Sequence, residues 1–184
     1  MRKDIEAYSE EELKNGFIHS ESVMDLAEKI QNTKLLFKNQ KMLGLTHLHD
    51  KKNADYGSAA TISYMAYGPI AYVVILRNKI ERYKRVSVND AMVDEDMDEL
   101  LGDIINYCMM FKADNYRVPY SVNVEPVATF MTLLDTDMVY SAMVAQLNTL
   151  ITPNQDDVKF NRAINYIVQT CLELLWEVSE DDNK

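Results

Sequence analysis

The sequence predicts an all-α protein, a helical bundle with almost no sheet, and two observations carry that prediction. The 184 residues include only 5 Gly and 4 Pro, so few tight turns are available. Several long stretches also place apolar residues three or four positions apart, which is helical spacing. Hydrophobic residues make up 47% of the chain, enough for a core without disulfides. We therefore expect a single helical domain over residues 1–184.

Charge and cysteine usage limit the classes of partner. The formal net charge of -10 argues against binding duplex nucleic acid, because phosphate contacts need a basic surface. It is compatible with a small phosphate ligand held by a metal ion and a few local cations. Cys108 and Cys171 lie in apolar stretches without a CxxC pattern, which predicts buried thiols. No uncharged apolar run of membrane-spanning length is present, so we expect a cytoplasmic protein without a membrane partner.

The first half of the chain alternates polar and apolar segments. Residues 1–20 are polar and acidic, and residues 22–41 show imperfect helical spacing. A polar segment over 47–57 follows, which we expect to be a loop. The apolar stretch 59–86 contains Gly68-Pro69, and proline disfavours a helical conformation in the preceding residue while suiting the first turn of a new helix. Two helices separated at that dipeptide are expected.

The second half predicts three more helices. Residues 94–112 carry apolar side chains at helical spacing, and 113–126 read as a crossing loop. Further helices are expected at 127–151 and 156–178, separated by a short connection at Pro153. Acidic residues at 156 and 157 suit a helix N-terminus, where the helix dipole favours negative charge.

An acidic stripe on helix 94–112 is the first candidate site. Glu95, Glu99 and Asp103 are four residues apart and so lie about 40° from one another around a helix. Hard cations such as Mg²⁺ prefer clustered carboxylate oxygens. Asn106 and Tyr107 extend the polar edge by one turn. The alternative interpretation is a solvated acidic face without a ligand.

Two further segments carry polar chemistry. Arg77, Lys79 and Arg82 bring cations into an otherwise apolar helix, and such groups bind phosphate. The alternative is ordinary ion pairing, Arg77 with Glu81 or Lys79 with the acidic helix. The second segment is a compact polar hook, Lys52-Asn53-Ala54-Asp55-Tyr56-Gly57, of the kind that turns also use.

The histidines upstream of the hook allow two interpretations. His47 and His49 are two residues apart and are followed by Asp50, so in a strand they could bind a metal. In a loop they are more often plain polar residues.

Taken in order, these three segments resemble the nucleotide modification associated domain, type one, of phages and bacteria. The resemblance covers residues 50–112, and the family itself resembles an outlying branch of the all-α nucleotide pyrophosphatases related to MazG. It implies a MazG-like core with extra C-terminal helices over 127–178. Asn78 stands where the family usually has Asp, and the acidic E-E-x-x-E helix of the MazG branch has no clean copy here.

The resemblance implies a nucleotide ligand and an Mg²⁺ cofactor. Glu95, Glu99 and Asp103 would hold the metal, with Glu99 and Asp103 taking part in hydrolysis that releases pyrophosphate or phosphate. The expected nucleotide contacts are Lys52, Asn53, Asp55, Tyr56, Arg77, Lys79, Arg82, Asn106 and Tyr107. The alternatives are a regulatory protein that binds a nucleotide without turnover, and an acidic interaction protein with no small ligand. A phage-encoded protein would act in the host cytoplasm.

A homodimer or higher homo-oligomer is also expected. The predicted C-terminal helices have broad apolar faces, and the related pyrophosphatases generally pair subunits to complete their bundles. The residues on these faces are Met138, Val139, Ala142, Met143, Leu147, Leu150, Ile164, Ile167, Val168, Cys171, Leu174 and Leu175.

Overall fold

The computed structural model describes the backbone of residues 10–56, 58–88, 96–118, 120, 136–152 and 156–181. The same residues have described side chains, apart from 10–27, 52–56, 88, 136, 180 and 181. Two compact units are present, residues 1–39 and residues 40–184.

Helices account for nearly all of the described chain, and no strand occurs in it, which confirms the predicted all-α class. The helices are α1 (Glu10–Tyr56), α2 (Ala59–Tyr67), α3 (Ile70–Val88), α4 (Met97–Tyr116), α5 (Thr136–Thr149) and α6 (Asp157–Asp181).

The unit of residues 1–39 consists, where described, of the N-terminal part of α1. Apolar side chains stand in solvent on this part of the helix, among them Ile30, Leu35 and Leu36. Thr33 donates its hydroxyl to the carbonyl of Lys29 one turn earlier, a bond typical of threonine within a helix.

The unit of residues 40–184 is built on a four-helix bundle. Helix α4 packs against α3 and α6, and α5 packs against the same two helices, so the four form a closed square. Helix α2 lies against α3 and α4 on the outside of this square. The bundle arises because each helix carries an apolar stripe that must be buried against a neighbour.

Helix α4 is the most enclosed element of the bundle. Ten of its twenty residues are buried, and they point to several sides of the helix. Phe111 is fully buried between aromatic rings, stacked on Tyr72 with ring centroids 4.9 Å apart and edge-on to Phe160 at 5.0 Å. Cys108 on α4 and Cys171 on α6 are both buried and free, as predicted. Burial raises the pKa of both thiols, so they stay protonated.

The expected break at Gly68-Pro69 is confirmed. Helix α2 ends at Tyr67, and Gly68 adopts a positive φ of 69°, a conformation that glycine accepts without steric cost. Helix α3 begins directly after Pro69. At the start of α6, Asp156 accepts a hydrogen bond from the backbone N–H of Lys159 at 2.7 Å, which confirms the predicted acidic cap.

The expected bounds of two helices were wrong. Residues 1–20 were expected to be a polar segment before the first helix, but α1 begins at Glu10. The polar segment 47–57 was expected to be a loop, but α1 continues through it to Tyr56. The segment contains no proline, and its first glycine is at its end, so nothing in the backbone stops the helix. Helix α4 likewise extends beyond 112 to Tyr116. Residues 127–135 of the predicted fifth helix lie outside the described residues.

The apolar faces of α5 and α6 are used inside this chain. Met143 and Leu147 on α5 and Ile164 and Ile167 on α6 are fully buried, while Met138 is exposed. The buried residues of these faces are therefore not available to a partner subunit, and the oligomeric state stays a prediction. None of the described helices contains a stretch that is both long and apolar enough to cross a membrane.

The central position of α4 gives a stability prediction. Replacing Phe111 by alanine removes a fully buried ring from between two aromatic partners and should lower the free energy of unfolding by about 3–5 kcal/mol. The control is Ile62→Ala on α2, where the side chain is 65% exposed, with an expected change within about 0.5 kcal/mol. Urea denaturation followed by circular dichroism measures both. Equal effects of the two substitutions would contradict the packing described here.

Candidate functional site

The last part of α1 runs alongside the first half of α4. Lys41 forms an ion pair with Asp98. One turn further along both helices, a Cβ added to Gly102 would lie 2.9 Å from the Leu45 side chain, so the absent side chain at 102 permits the close approach. Both contacts advance by four residues on each helix, so the helices run in the same direction here.

His49 makes the next contact in this series, through an aromatic ring. It stacks on Tyr120 with ring centroids 3.7 Å apart and an interplanar angle of 1°. The Tyr120 hydroxyl donates a 2.7 Å hydrogen bond to the side-chain oxygen of buried Asn106 on α4. Burial, followed by the nearby Asp50 charge, raises the pKa of Tyr120, so its hydroxyl remains a donor. His49 therefore has a packing role, and Asn106 accepts a hydrogen bond within the protein.

Lys79 and Asp103 form the polar centre of the α3–α4 contact. The ammonium Nζ lies 2.7 Å from Oδ2 of Asp103, and the two side chains are only 21% and 20% exposed. Lys79 also lies 5.2 Å from the ring centroid of Tyr107, one turn along α4 from Asp103. This cation over an aromatic face adds to the attraction between the helices. The structure thus brings together three of the residues predicted to form the site.

The predicted metal ligands are only partly described. Glu99 lies one turn before Asp103 on α4 and is exposed to solvent, whereas Glu95 lies outside the described residues. Within the described part of the chain, no three acidic, histidine or cysteine side chains converge to hold a metal ion. The three-carboxylate stripe therefore stays a prediction.

Arg77 takes part in a polar contact between α3 and α5 and not in the Lys79–Asp103 pair. Its Nε donates to Oε1 of Glu81 at 2.9 Å, and the Tyr140 hydroxyl on α5 donates to the same oxygen. These two hydrogen bonds, Tyr140 first and Arg77 second, lower the pKa of Glu81. Lys84, one turn beyond Glu81, lies 2.9 Å from Asp137 and joins the same polar contact between α3 and α5. Both ion pairs considered as alternatives in the sequence are thus present.

The remaining predicted contacts are less defined. Arg82 and Asn78 are exposed on α3. The backbone of Lys52, Asn53, Asp55 and Tyr56 forms the last turns of α1, where the positions of their side chains are not described. These four positions follow His49 along α1.

A second polar centre on α4 was missed in the sequence. Oδ2 of Asp114 accepts a 2.6 Å hydrogen bond from the hydroxyl of buried Tyr72 on α3, and Oδ1 accepts one from Thr61 on α2 at 3.3 Å. Asp114 follows Asp103 by eleven residues, which is about three helical turns. The two side chains therefore leave the helix in directions that differ by only about 20°. This spacing would identify Asp114 in the sequence if the predicted helix continued past residue 112.

A family match to part of the chain supports the resemblance seen in the motifs. The family described as nucleotide modification associated domain 1 matches residues 52–112. The matched segment contains the hook, the cationic segment of α3, and α4 as far as Lys112. No curated protein and no solved structure matches the chain. The relation to the MazG-like pyrophosphatases stays a prediction.

The Lys79–Asp103 pair should contribute more to stability than exposed pairs do. A double-mutant cycle with Lys79→Met and Asp103→Asn should give a coupling energy above about 1 kcal/mol, because both side chains are largely removed from water. The matched control is the Lys84–Asp137 pair, whose side chains are 36% and 72% exposed. The same cycle there should give less than about 1 kcal/mol, reduced further by salt. Similar coupling energies would contradict the enclosed position of Lys79.

Proposed function

We propose that this chain binds a nucleotide, with Mg²⁺, on the side of the bundle where Lys79 and Asp103 meet, and that it hydrolyses the nucleotide to release pyrophosphate or phosphate. The observation that carries the proposal is the 2.7 Å contact between Lys79 and Asp103, beside Tyr107. It joins a cation from one family motif to a carboxylate from the next. The match over 52–112 supports the association with nucleotides.

The residues present are compatible with a hydrated Mg²⁺ ion. Glu99 and Asp103 are one turn apart on α4, and proteins commonly hold Mg²⁺ through one or two carboxylates together with waters and phosphate oxygens. Asp103 already pairs with Lys79, so a metal ion would compete with an ammonium group for this carboxylate. When bound, Mg²⁺ would polarise a phosphate oxygen and activate water.

The protein side chains supply the remaining chemistry. Lys79 would exchange part of its contact with Asp103 for a phosphate oxygen, which keeps a largely buried ammonium group paired. Tyr107 limits the positions open to Lys79 and gives the ligand an aromatic neighbour. Arg82, exposed on α3, would add positive charge where phosphate approaches.

Binding without turnover is the second candidate function, and one observation favours it. The Lys79–Asp103 pair neutralises the carboxylate that catalysis would need for metal binding. A protein that only sequesters a nucleotide could use Lys79 alone for phosphate contact. The assignment to a MazG-like pyrophosphatase, the pairing of subunits and a phage or host-cytoplasm setting belong to the same proposal and rest on the motif resemblance.

Titration calorimetry with Mg²⁺ and nucleoside triphosphates tests the proposal. Asp103→Asn should weaken Mg²⁺ binding by at least about tenfold, or about 1.4 kcal/mol, and should abolish pyrophosphate release. Lys79→Ala should weaken nucleotide binding and tighten Mg²⁺ binding, because it removes the competitor for Asp103. Arg85→Ala, an exposed cation on the same helix, is the control and should leave both affinities unchanged.

The outcomes separate the two candidate functions. Nucleotide binding without pyrophosphate or phosphate release in the wild-type protein would favour the second candidate. A protein whose thermal stability responds to no nucleotide, with or without Mg²⁺, would contradict both, since a ligand at 100 times its Kd should add about 2.7 kcal/mol of stability.

A further inference from the structure

A concave site lies between the C-terminal end of α4 and helix α2. Its volume is about 640 Å³, within the range of about 300–1,000 Å³ typical of small-molecule pockets. Met65, Ala113 and Val118 give it an apolar wall, and Asp114 and Arg117 add opposite charges. An apolar pocket with a few convergent polar groups is the usual form of a ligand site.

Asp114 retains the capacity to accept hydrogen bonds from a ligand. Each of its carboxylate oxygens accepts one hydrogen bond inside the protein, from Tyr72 and Thr61 respectively. A carboxylate has about four acceptor positions, so one remains on each oxygen. The Tyr72 bond fixes the orientation of the group, because that hydroxyl belongs to a fully buried side chain. A planar ligand with two adjacent N–H donors is the natural partner for such a carboxylate.

Arg117 occupies a backbone position that favours glycine. It is the residue after α4 and has a φ of 54°, the only positive φ among the described residues other than glycine. Glycine or asparagine usually takes this position, because a larger side chain adds steric cost. Arg117 is exposed and forms no ion pair within the described part of the chain. An exposed cation in this conformation beside a pocket is a candidate for ligand binding.

Tyr64 brings an aromatic ring to this pocket. It lines the same pocket, and its hydroxyl donates to the side-chain oxygen of Asn115 at 3.4 Å. Burial first, and then the Asp114 charge, raise the pKa of Tyr64, while the Arg117 charge opposes that rise. Both charges therefore act on the same ring. An aromatic side chain in this position can stack on a flat heterocycle.

We propose that this pocket binds the base of the nucleotide, and that the base is guanine. Asp114 would accept hydrogen bonds from the adjacent N–H groups of guanine, and Arg117 would donate to its O6 and N7, the pairing that arginine makes with guanine elsewhere. Tyr64 and Met65 would contact the ring faces. Asp114 lies about 16 Å along α4 from Asp103 and on the same side of the helix. The assignment rests on the proposed nucleotide binding, with the phosphates at Lys79.

Competition between nucleotides tests this assignment. Calorimetry should show that guanosine triphosphate binds the wild-type protein at least about tenfold more tightly than the adenosine, cytidine and uridine triphosphates do, a difference of about 1.4 kcal/mol. Asp114→Asn keeps one side-chain oxygen that can accept the hydrogen bond from Tyr72. It replaces the other carboxylate oxygen by an amide group, which donates, and it removes the negative charge that faces guanine. It should abolish the preference for guanine while leaving some triphosphate binding through Lys79.

Arg117→Gly separates an effect on binding from an effect on folding. Glycine suits the positive φ, so this variant should raise the melting temperature of the free protein while weakening guanosine triphosphate binding. Arg85 lies about 20 Å along α3 from Tyr72, the partner of Asp114. Arg85→Ala removes one positive charge, as Arg117→Gly does, but should change neither the base preference nor the affinity. This control excludes a general effect of net charge.

Three results would overturn the assignment. Equal binding of the four triphosphates, or an unchanged guanine preference in both Asp114→Asn and Arg117→Gly, would show that the pocket does not read the base, while the proposed nucleotide binding at Lys79 would stand. If none of the triphosphates binds, the proposed function fails and the base assignment fails with it.

Discussion

The burial of α4 is the constraint on which the rest of the structure depends. The helix lies between α3 and α6 and also contacts α2, so its side chains meet other helices in most directions. A polar group placed in such surroundings is costly unless it is hydrogen-bonded or paired. Three polar residues of α4 satisfy this condition through other elements: Asp103 through Lys79, Asn106 through Tyr120, and Asp114 through Tyr72. Each partner comes from outside α4.

These pairings link the stability of the bundle to its candidate chemistry. Lys79 and Tyr72 both belong to α3 and are two turns apart, so α3 supplies partners for two of the four acidic residues of α4, Asp103 and Asp114. A purely structural contact could use apolar residues at the same positions, often without loss of stability. Lys79 and Asp103 lie within residues 52–112, which the family match covers, whereas Asp114 lies two residues beyond them.

Helices were predictable where the local sequence contains a clear helix or break signal. The apolar spacing of α3 and α4 and the Gly68-Pro69 break identified those helices. The sequence was misleading over residues 47–56, because a run of polar side chains resembles a loop when its packing is unknown. His49 stacks on Tyr120 from far along the chain, and no local pattern contains such a contact. Helix α4 was ended early for a related reason, since Asp114 and Asn115 are common turn residues.

The candidate site was predictable in part. The motifs identified Lys79, Asp103 and Tyr107, and the structure brings them together. The pairing of Arg77 with Glu81 was one of the alternatives in the sequence, and it is present. The sequence did not indicate that Tyr140 joins this pair, because the position of α5 is a tertiary feature. Asp114 and Arg117 were outside the expected helix, so their shared pocket could not be seen.

The proposed binding mode places the phosphates at Lys79 and Asp103 and the base beside Asp114. Backbone amide chemical shifts recorded by NMR during titration with guanosine triphosphate and Mg²⁺ test it most directly. A nucleotide bound in this way should cause the largest changes at Lys79, Asp103 and Tyr107, with a second group at Tyr64, Asp114 and Arg117. Shifts centred on α5 and α6, or no shifts at saturating nucleotide, would contradict it.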